Sequence, residues 1–258
     1  MLAKSWISDV HPCLPVVLPH QARQFRLYLD QPLPPGIELI RTPLTLERAL
    51  PKRQIQFRAG RYCAMKAMEA LDPRFAGQQV GRAAGGAPLW PQGLTGSITH
   101  TDDFVSAAVA WTTDAVALGI DTERIMSESQ ARDVGRMVAW PVEVAHARAA
   151  GMTRLEALTL VFSAKESIFK CLHPRVHRMF EFHDVRLVSI DAAAQTFHVR
   201  IIKTLTHEFP ANTMLEGRFA IEGHWVHTGM YLATPEAKRR RAAATEPALQ
   251  SVAWLQVP

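Results

Sequence analysis

Asp121 and Glu123, two residues apart, and the run Lys165-Glu166-Ser167-Ile168-Phe169-Lys170 hold the residue types that a metal ion and a phosphate need. Leu158, Phe162, Phe169 and Leu172 recur at spacings of three and four, the period of a buried helix face, and Lys165 fills the one remaining place in that series. An ammonium there either snorkels to solvent or meets an anion, because an unpaired buried charge is very costly. Glu166 and Lys170, four residues apart, share the flank of the same stripe. A Lys-Glu-Lys constellation beside a core is either a structural ion pair or a site for a metal and a phosphate.

The carboxylates of Asp121 and Glu123 fall on one side of a strand over residues 116–124, opposite Val116, Leu118 and Ile120. Two such neighbours repel unless a cation sits between them, and all-oxygen ligation suits Mg²⁺, which also takes phosphate oxygens and water. The alternative is a solvated strand edge with two exposed acids. His100 stands at a strand end after the small-residue pair Gly96-Ser97, where turn N–H groups and a ring N–H could cradle a phosphate. Arg53, Arg58 and Arg61 lie along one helix, the last two on one face, either as phosphate ligands or as a solvated basic face. His173 and His177 are interrupted by Pro174, and His224 and His227 lack a nearby third ligand, so no zinc site follows. GxSxG, Walker A and GxGxxG strings are absent.

Several elements must position these groups. Residues 11–43 carry seven prolines and read as extended, surface-wrapping chain. A helix is expected from Pro51 to Leu71, with Pro at its start and Gly60 as its weak point. Ser97–His100 and Phe104–Trp111, joined by Thr101-Asp102-Asp103, form a hairpin. After the 116–124 strand, a long helix runs from Arg154 to Leu172, opened by the capping-box pair Thr153 and Glu156 and ended by Pro174. Three β-rich pieces follow at 184–190, 196–203 and 218–232, and the tail from Pro235 reads as a loose or partly helical appendage. The fold class is α+β, with antiparallel hairpins.

Composition sets the outer bounds. With 258 residues, 48% of them hydrophobic and 21% charged, the chain has ample material for a core. No run approaches a membrane span, and the first residues lack the apolar h-region of a signal peptide. Cys13, Cys63 and Cys171 form no CxxC pattern and read as reduced thiols of a cytoplasmic protein. The net charge of +5 favours an anionic partner, yet Lys238-Arg239-Arg240-Arg241 alone contributes four of those charges. That run has no interleaved aromatics, so a nucleic-acid-binding module is the weaker reading.

The order and spacing of five blocks resemble one family. They are Arg53 to Arg61 with Phe57 and Gly60; Gly86-Ala87-Pro88-Leu89-Trp90-Pro91; Gly96-Ser97-Ile98-Thr99-His100-Thr101; Gly119-Ile120-Asp121-Thr122-Glu123; and Phe162 to Lys170. Together they look like the 4′-phosphopantetheinyl transferases, and more narrowly the surfactin-type, enterobactin synthetase component D branch. The matching blocks cover roughly residues 50–172.

The resemblance implies a pseudo-dimer of two similar helix-plus-antiparallel-sheet halves with coenzyme A between them. The halves are expected at 1–115 and 116–236, with a tail over 237–258. By the same resemblance Asp121, Glu123 and Glu166 hold Mg²⁺, while Lys165 and Lys170 meet the phosphates of coenzyme A. Ser97, Thr99 and His100 bind coenzyme A at the hairpin, and Arg53 and Arg61 serve its 3′-phosphate side. Glu166 and Lys170 are the implied catalytic pair. The implied reaction moves the phosphopantetheine arm to a serine of an apo carrier protein and releases adenosine 3′,5′-bisphosphate, by a monomer that needs no nucleic acid or membrane. Ala87 stands where the family often has the lysine of a GKP string, so one contact is expected to be missing. A Mg²⁺-dependent phosphohydrolase using the same carboxylates is the rival enzyme reading.

Overall fold

A computed structural model describes residues 17–83 and 85–245. The elements run in the order β1 (Arg23–Tyr28), α1 (Leu44–Glu47), α2 (Pro51–Leu71), β2 (Gly81–Arg82), β3 (Pro88–Leu89), β4 (Leu94–His100), β5 (Phe104–Trp111) and β6 (Ala115–Arg124). Then come α3 (Glu128–Val138), α4 (Pro141–Ala149), α5 (Arg154–Val176), β7 (Val185–Asp191), β8 (Thr196–Ile201), β9 (Met214–Glu222), β10 (Trp225–Ala233) and α6 (Pro235–Thr245).

Two antiparallel sheets carry the architecture, a three-stranded one in the order β1-β5-β4 and a five-stranded one in the order β6-β10-β9-β8-β7. Each is covered by a long helix. On α2, Ala59, Cys63, Ala67 and Met68 are buried with Val105, Ala107 and Val109 of β5. On α5, Leu160, Ala164, Ile168 and Cys171 are buried with Val226 and Met230 of β10. A third cluster, with Ala108, Ala110, Leu118, Ile120, Ala220 and the incoming Val17 and Leu18, fills the seam between the halves. The α+β arrangement expected from the sequence is therefore the observed one.

Small residues set how closely these layers approach. A Cβ at Gly119 would lie 2.1 Å from the Ser167 carbonyl oxygen and 2.6 Å from the Cys171 nitrogen, so β6 meets the backbone of α5 directly. Gly60, expected to weaken α2, has the same use, since a Cβ there would press to 3.0 Å on Ile98 of β4.

Several sequence expectations need correction. Part of the 11–43 segment is ordered as β1, which pairs antiparallel with β5 from Arg23↔Val109 to Tyr28↔Phe104. Pro174 lies inside the last turn of α5, and the helix ends at Val176, with His177 capping it at φ 54°. A proline there forfeits one backbone bond at a helix end, where the strain is smallest. The 218–232 piece is a hairpin of β9 and β10 that turns at Gly223, φ +58°. The Pro235 tail begins as α6, which Arg240 ties to Asp114 at 2.8 Å. Cys13 and the end of the tail, from residue 246, lie outside the described residues.

A candidate phosphate and metal site at the seam between the halves

The seam is built by side-chain hydroxyls. β4 and β6 run side by side with no backbone ladder between them; instead Ile120 N donates to Ser97 Oγ at 3.1 Å, and Thr122 N donates to Thr99 Oγ1 at 3.2 Å. Ser97 and Thr99 are buried accordingly, at 3% and 2% exposure. Both were expected to bind coenzyme A. In the structure both hydroxyls accept from the β6 backbone, and that of Thr99 also meets Asp121 and Lys170. Their effect on the site is to bring the carboxylates of β6 under the end of β4.

Asp121 sits at that junction, 3% exposed. Its Oδ1 accepts from Thr99 Oγ1 at 3.1 Å and from Lys170 Nζ at 2.6 Å, joining β4, β6 and α5 in one contact. Its Oδ2 is buried without a hydrogen-bond partner. Lys170 reaches Thr99 Oγ1 as well, at 3.4 Å. The solvated strand edge weighed for Asp121 is thereby excluded: it faces α5, on the Gly119 side of β6.

Glu123 and Glu166 are part-buried beside it. Burial, then the Asp121 charge, raise the Glu123 carboxyl to about 8, with Lys170 opposing. Burial, then Asp121, raise Glu166 as well. A buried acidic group short of positive charge holds protons until a cation arrives. Among the described residues no three His, Cys, Asp or Glu side chains are drawn together tightly enough to enclose a metal ion. The oxygen donors for a hard cation are adjacent, and one has an orphaned oxygen aimed at nothing, but Lys170 provides the charge that Asp121 meets here.

Lys165 is not in this cluster. Its Nζ donates to Glu143 Oε2 at 2.8 Å, and neither side chain is exposed. Glu143 caps α4 by accepting Trp140 N at 2.7 Å, and its Oε1 accepts Leu187 N from β7 at 2.8 Å. Of the two readings weighed for Lys165, the structural ion pair is present: α4, which the sequence reading missed, brings it the Glu143 carboxylate. Burial lowers the lysine's affinity for its proton, and Glu143 offsets only part of that loss. Pro141 followed by Glu143 was the available signal for this helix start.

The cationic side lies on the first half. Arg53 of α2 contacts His100 Nε2 at the end of β4. Desolvation, then Arg53 and Lys170, disfavour the charged His100 ring. Arg61 is 7% exposed, packs 5.0 Å over the Phe57 ring and has a buried Nε without an acceptor. Burial and the nearby Arg82 bring its pKa down to about 10. The Arg82 guanidinium lies over Gly86, within 3.2 Å of where a Cβ would stand. Sequence reasoning missed Arg82, whose only signal was its place one hairpin turn before Ala87.

A cleft of about 350 Å³ opens beside Glu166 and Lys165, lined also by Phe169, Phe180, Phe182, Val185, Met137 and Met179. That volume lies within the roughly 300–1,000 Å³ range of small-molecule clefts.

Comparison with known proteins accords with this geometry. Residues 42–110 match the family model of the 4′-phosphopantetheinyl transferase N-terminal domain, and residues 117–222 match that of the 4′-phosphopantetheinyl transferase superfamily. The chain is 37% identical to the 4′-phosphopantetheinyl transferase Svp of Streptomyces mobaraensis over 60% of its length, spanning 62% of that relative. It is 30% identical to the 4′-phosphopantetheinyl transferase Npt of Nocardia iowensis over 61% of its length and 71% of Npt. Enterobactin synthase component D of Salmonella typhi is 29% identical over 69% of each chain. The two family models meet within a few residues of the start of β6, where the seam lies, and the chain belongs to the 4′-phosphopantetheinyl transferase superfamily.

Proposed function

We propose that this protein transfers the 4′-phosphopantetheine arm of coenzyme A to a serine of an apo carrier protein. The observation that carries the reading is Asp121, whose buried carboxylate has one oxygen on Lys170 and the other without a partner, directly between the two family domains.

In this reading Asp121, Glu123 and Glu166 hold Mg²⁺, which when bound neutralises and orients a diphosphate. The protein's own groups do the rest. Arg53 and His100 bind phosphate at the end of β4. Arg61 and Arg82 bind the 3′-phosphate, with Arg82 offsetting the lysine that Ala87 replaces. The serine hydroxyl attacks the β-phosphorus; its oxygen–phosphorus bond forms as the bond to adenosine 3′,5′-bisphosphate breaks. Glu166 receives the serine proton, directly or through water, a role suited to a carboxyl raised by burial and by Asp121. Lys170 meets charge on the leaving phosphate. The cleft beside Glu166 takes the slender pantetheine arm. Lys165 supports this machinery through Glu143, at the wall of the same cleft. The same reading takes the protein as a cytoplasmic monomer; the buried, unpaired Cys63 and Cys171 are in keeping with a reducing compartment.

The test incubates the protein with coenzyme A, Mg²⁺ and a panel of apo carrier domains, and reads intact masses. A carrier that gains one phosphopantetheine arm supports the proposal. Coenzyme A turnover without any carrier gain points instead to a phosphohydrolase.

A further inference from the structure

Among the described residues Lys170 is the one cation paired with the acidic group at the seam, and it holds Asp121 Oδ1 at 2.6 Å with its side chain only 27% exposed. The other oxygen of that carboxylate, Oδ2, is buried and unpartnered. The two oxygens of one carboxylate are closer together than a hydrogen bond is long. A divalent cation on Oδ2 would therefore sit within a few ångströms of an ammonium on Oδ1, in a part-buried place where like charges are poorly screened. Either the lysine leaves or an anion must come between them. Lys170 has a four-carbon stem, rooted on the solvent-ward flank of α5, and its alternative contact, Thr99 Oγ1, is weak at 3.4 Å. A diphosphate arriving over the cluster offers it a better partner than Thr99.

We propose that Lys170 serves as a built-in counter-ion that occupies the acidic site in the empty enzyme, so that a divalent metal binds tightly only when a diphosphate draws the lysine away. The inference rests on the coenzyme A reading above and adds an order to it: metal and coenzyme A bind as a coupled pair. Because such coupling is reciprocal, the metal tightens coenzyme A by the same factor. It also accounts for the carboxylates standing adjacent yet not closed around a metal position.

The test titrates Mn²⁺, a hard divalent stand-in for Mg²⁺, into the ligand-free protein and follows free Mn²⁺ by electron paramagnetic resonance. Wild type is expected to bind Mn²⁺ weakly alone. Lys170→Met removes the charge and is expected to bind Mn²⁺ at least tenfold more tightly. Lys170→Arg keeps a cation there and stays as weak as wild type. Lys66→Met removes a charge from α2, where Lys66 pairs with Glu69, and leaves Mn²⁺ affinity unchanged. A Lys170→Met protein that binds Mn²⁺ no better than wild type overturns the proposal, and so does equal tightening by Lys66→Met. The wild type supplies a second measurement that needs no variant. Saturating coenzyme A, after correction for its own Mn²⁺ binding, should tighten Mn²⁺ at least tenfold, and an unchanged affinity also overturns the coupling. Failure of the transfer reading shows differently, as carriers without mass gain, whereas the Mn²⁺-alone titrations contain neither carrier nor coenzyme A.

Discussion

Lys165 Nζ and Glu143 Oε2 lie 2.8 Å apart, and solvent reaches neither side chain. The contact joins α4 to α5, and through Leu187 N it joins both to β7. It therefore fixes the helix that carries Glu166 and Lys170. Replacing one partner strands a buried charge, whereas replacing both removes the problem.

A double-mutant cycle follows from this pair. Lys165→Met leaves the Glu143 carboxylate with two backbone donors but no counter-charge, and should destabilise the free protein by about 3–5 kcal/mol. Glu143→Gln should cost a similar amount. The double variant should recover a substantial part of the loss, read as a coupling energy from urea unfolding. Additive losses would show that the pair is not a coupled unit. A lysine kept only for a ligand phosphate would instead leave the free Lys165→Met protein as stable as wild type.

That contrast marks where the sequence stops being legible. Periods and caps are local, so α2 was read as Pro51–Leu71, as observed, and the two faces of β6 were assigned correctly. The β4–β5 hairpin was legible from its polar turn. What the sequence hides is which element arrives from far away. Glu143 is 22 residues from Lys165 and belongs to a nine-residue helix with a weak periodicity. Nothing local to Ser97 and Thr99 says that β6 will run alongside β4 and donate to their oxygens. Lys170 was placed on the right flank, yet its contact with Asp121 spans 49 residues and appears only when α5 packs across β6.

That packing gives a second prediction. Gly119→Ala would drive a Cβ into the Ser167 carbonyl at 2.1 Å and the Cys171 nitrogen at 2.6 Å, neither of which is a flexible side-chain end. β6 must move off α5, taking Asp121 from Lys170. Overpacking of this kind costs about 1–3 kcal/mol or more. Gly85→Ala, where nothing lies within 4 Å, serves as the control and should be neutral. Thermal melts of the two variants decide it: matching melting temperatures would show that the approach of β6 to α5 is looser than described.

The carboxylates supply a third prediction. Asp121→Asn keeps the side-chain volume and can still accept from Lys170, but it lacks the charge for a divalent cation. Transfer to a carrier should fall by at least a hundredfold in kcat, with the unfolding midpoint nearly unchanged. Glu166→Gln should lose as much in kcat while still binding Mn²⁺ weakly through Asp121 and Glu123. Near-normal turnover by either folded variant would remove that residue from the proposed site.

His227 gives a fourth, through acid stability. The ring is 4% exposed on β10, joined by Nδ1 to Thr122 Oγ1 at 3.0 Å and edge-on to Phe104 at 5.4 Å. Burial, then the Arg26 charge, depress its pKa to about 4, with Asp121 opposing. The unfolded chain has the ordinary histidine value near 6.5. Between those values the unfolded state binds more protons, so stability is complete above about pH 6.5 and is lost as pH falls through 4. The loss between pH 7 and pH 4.5 should be on the order of 2–3 kcal/mol from this ring alone. His227→Gln keeps a polar partner for Thr122 and removes the titration. Carboxylates elsewhere titrate alike in both proteins, so the difference between their urea stabilities at the two pH values isolates His227. Wild type should lose more on acidification than His227→Gln; equal losses would mean that the ring is already charged, or already solvated, in the folded state.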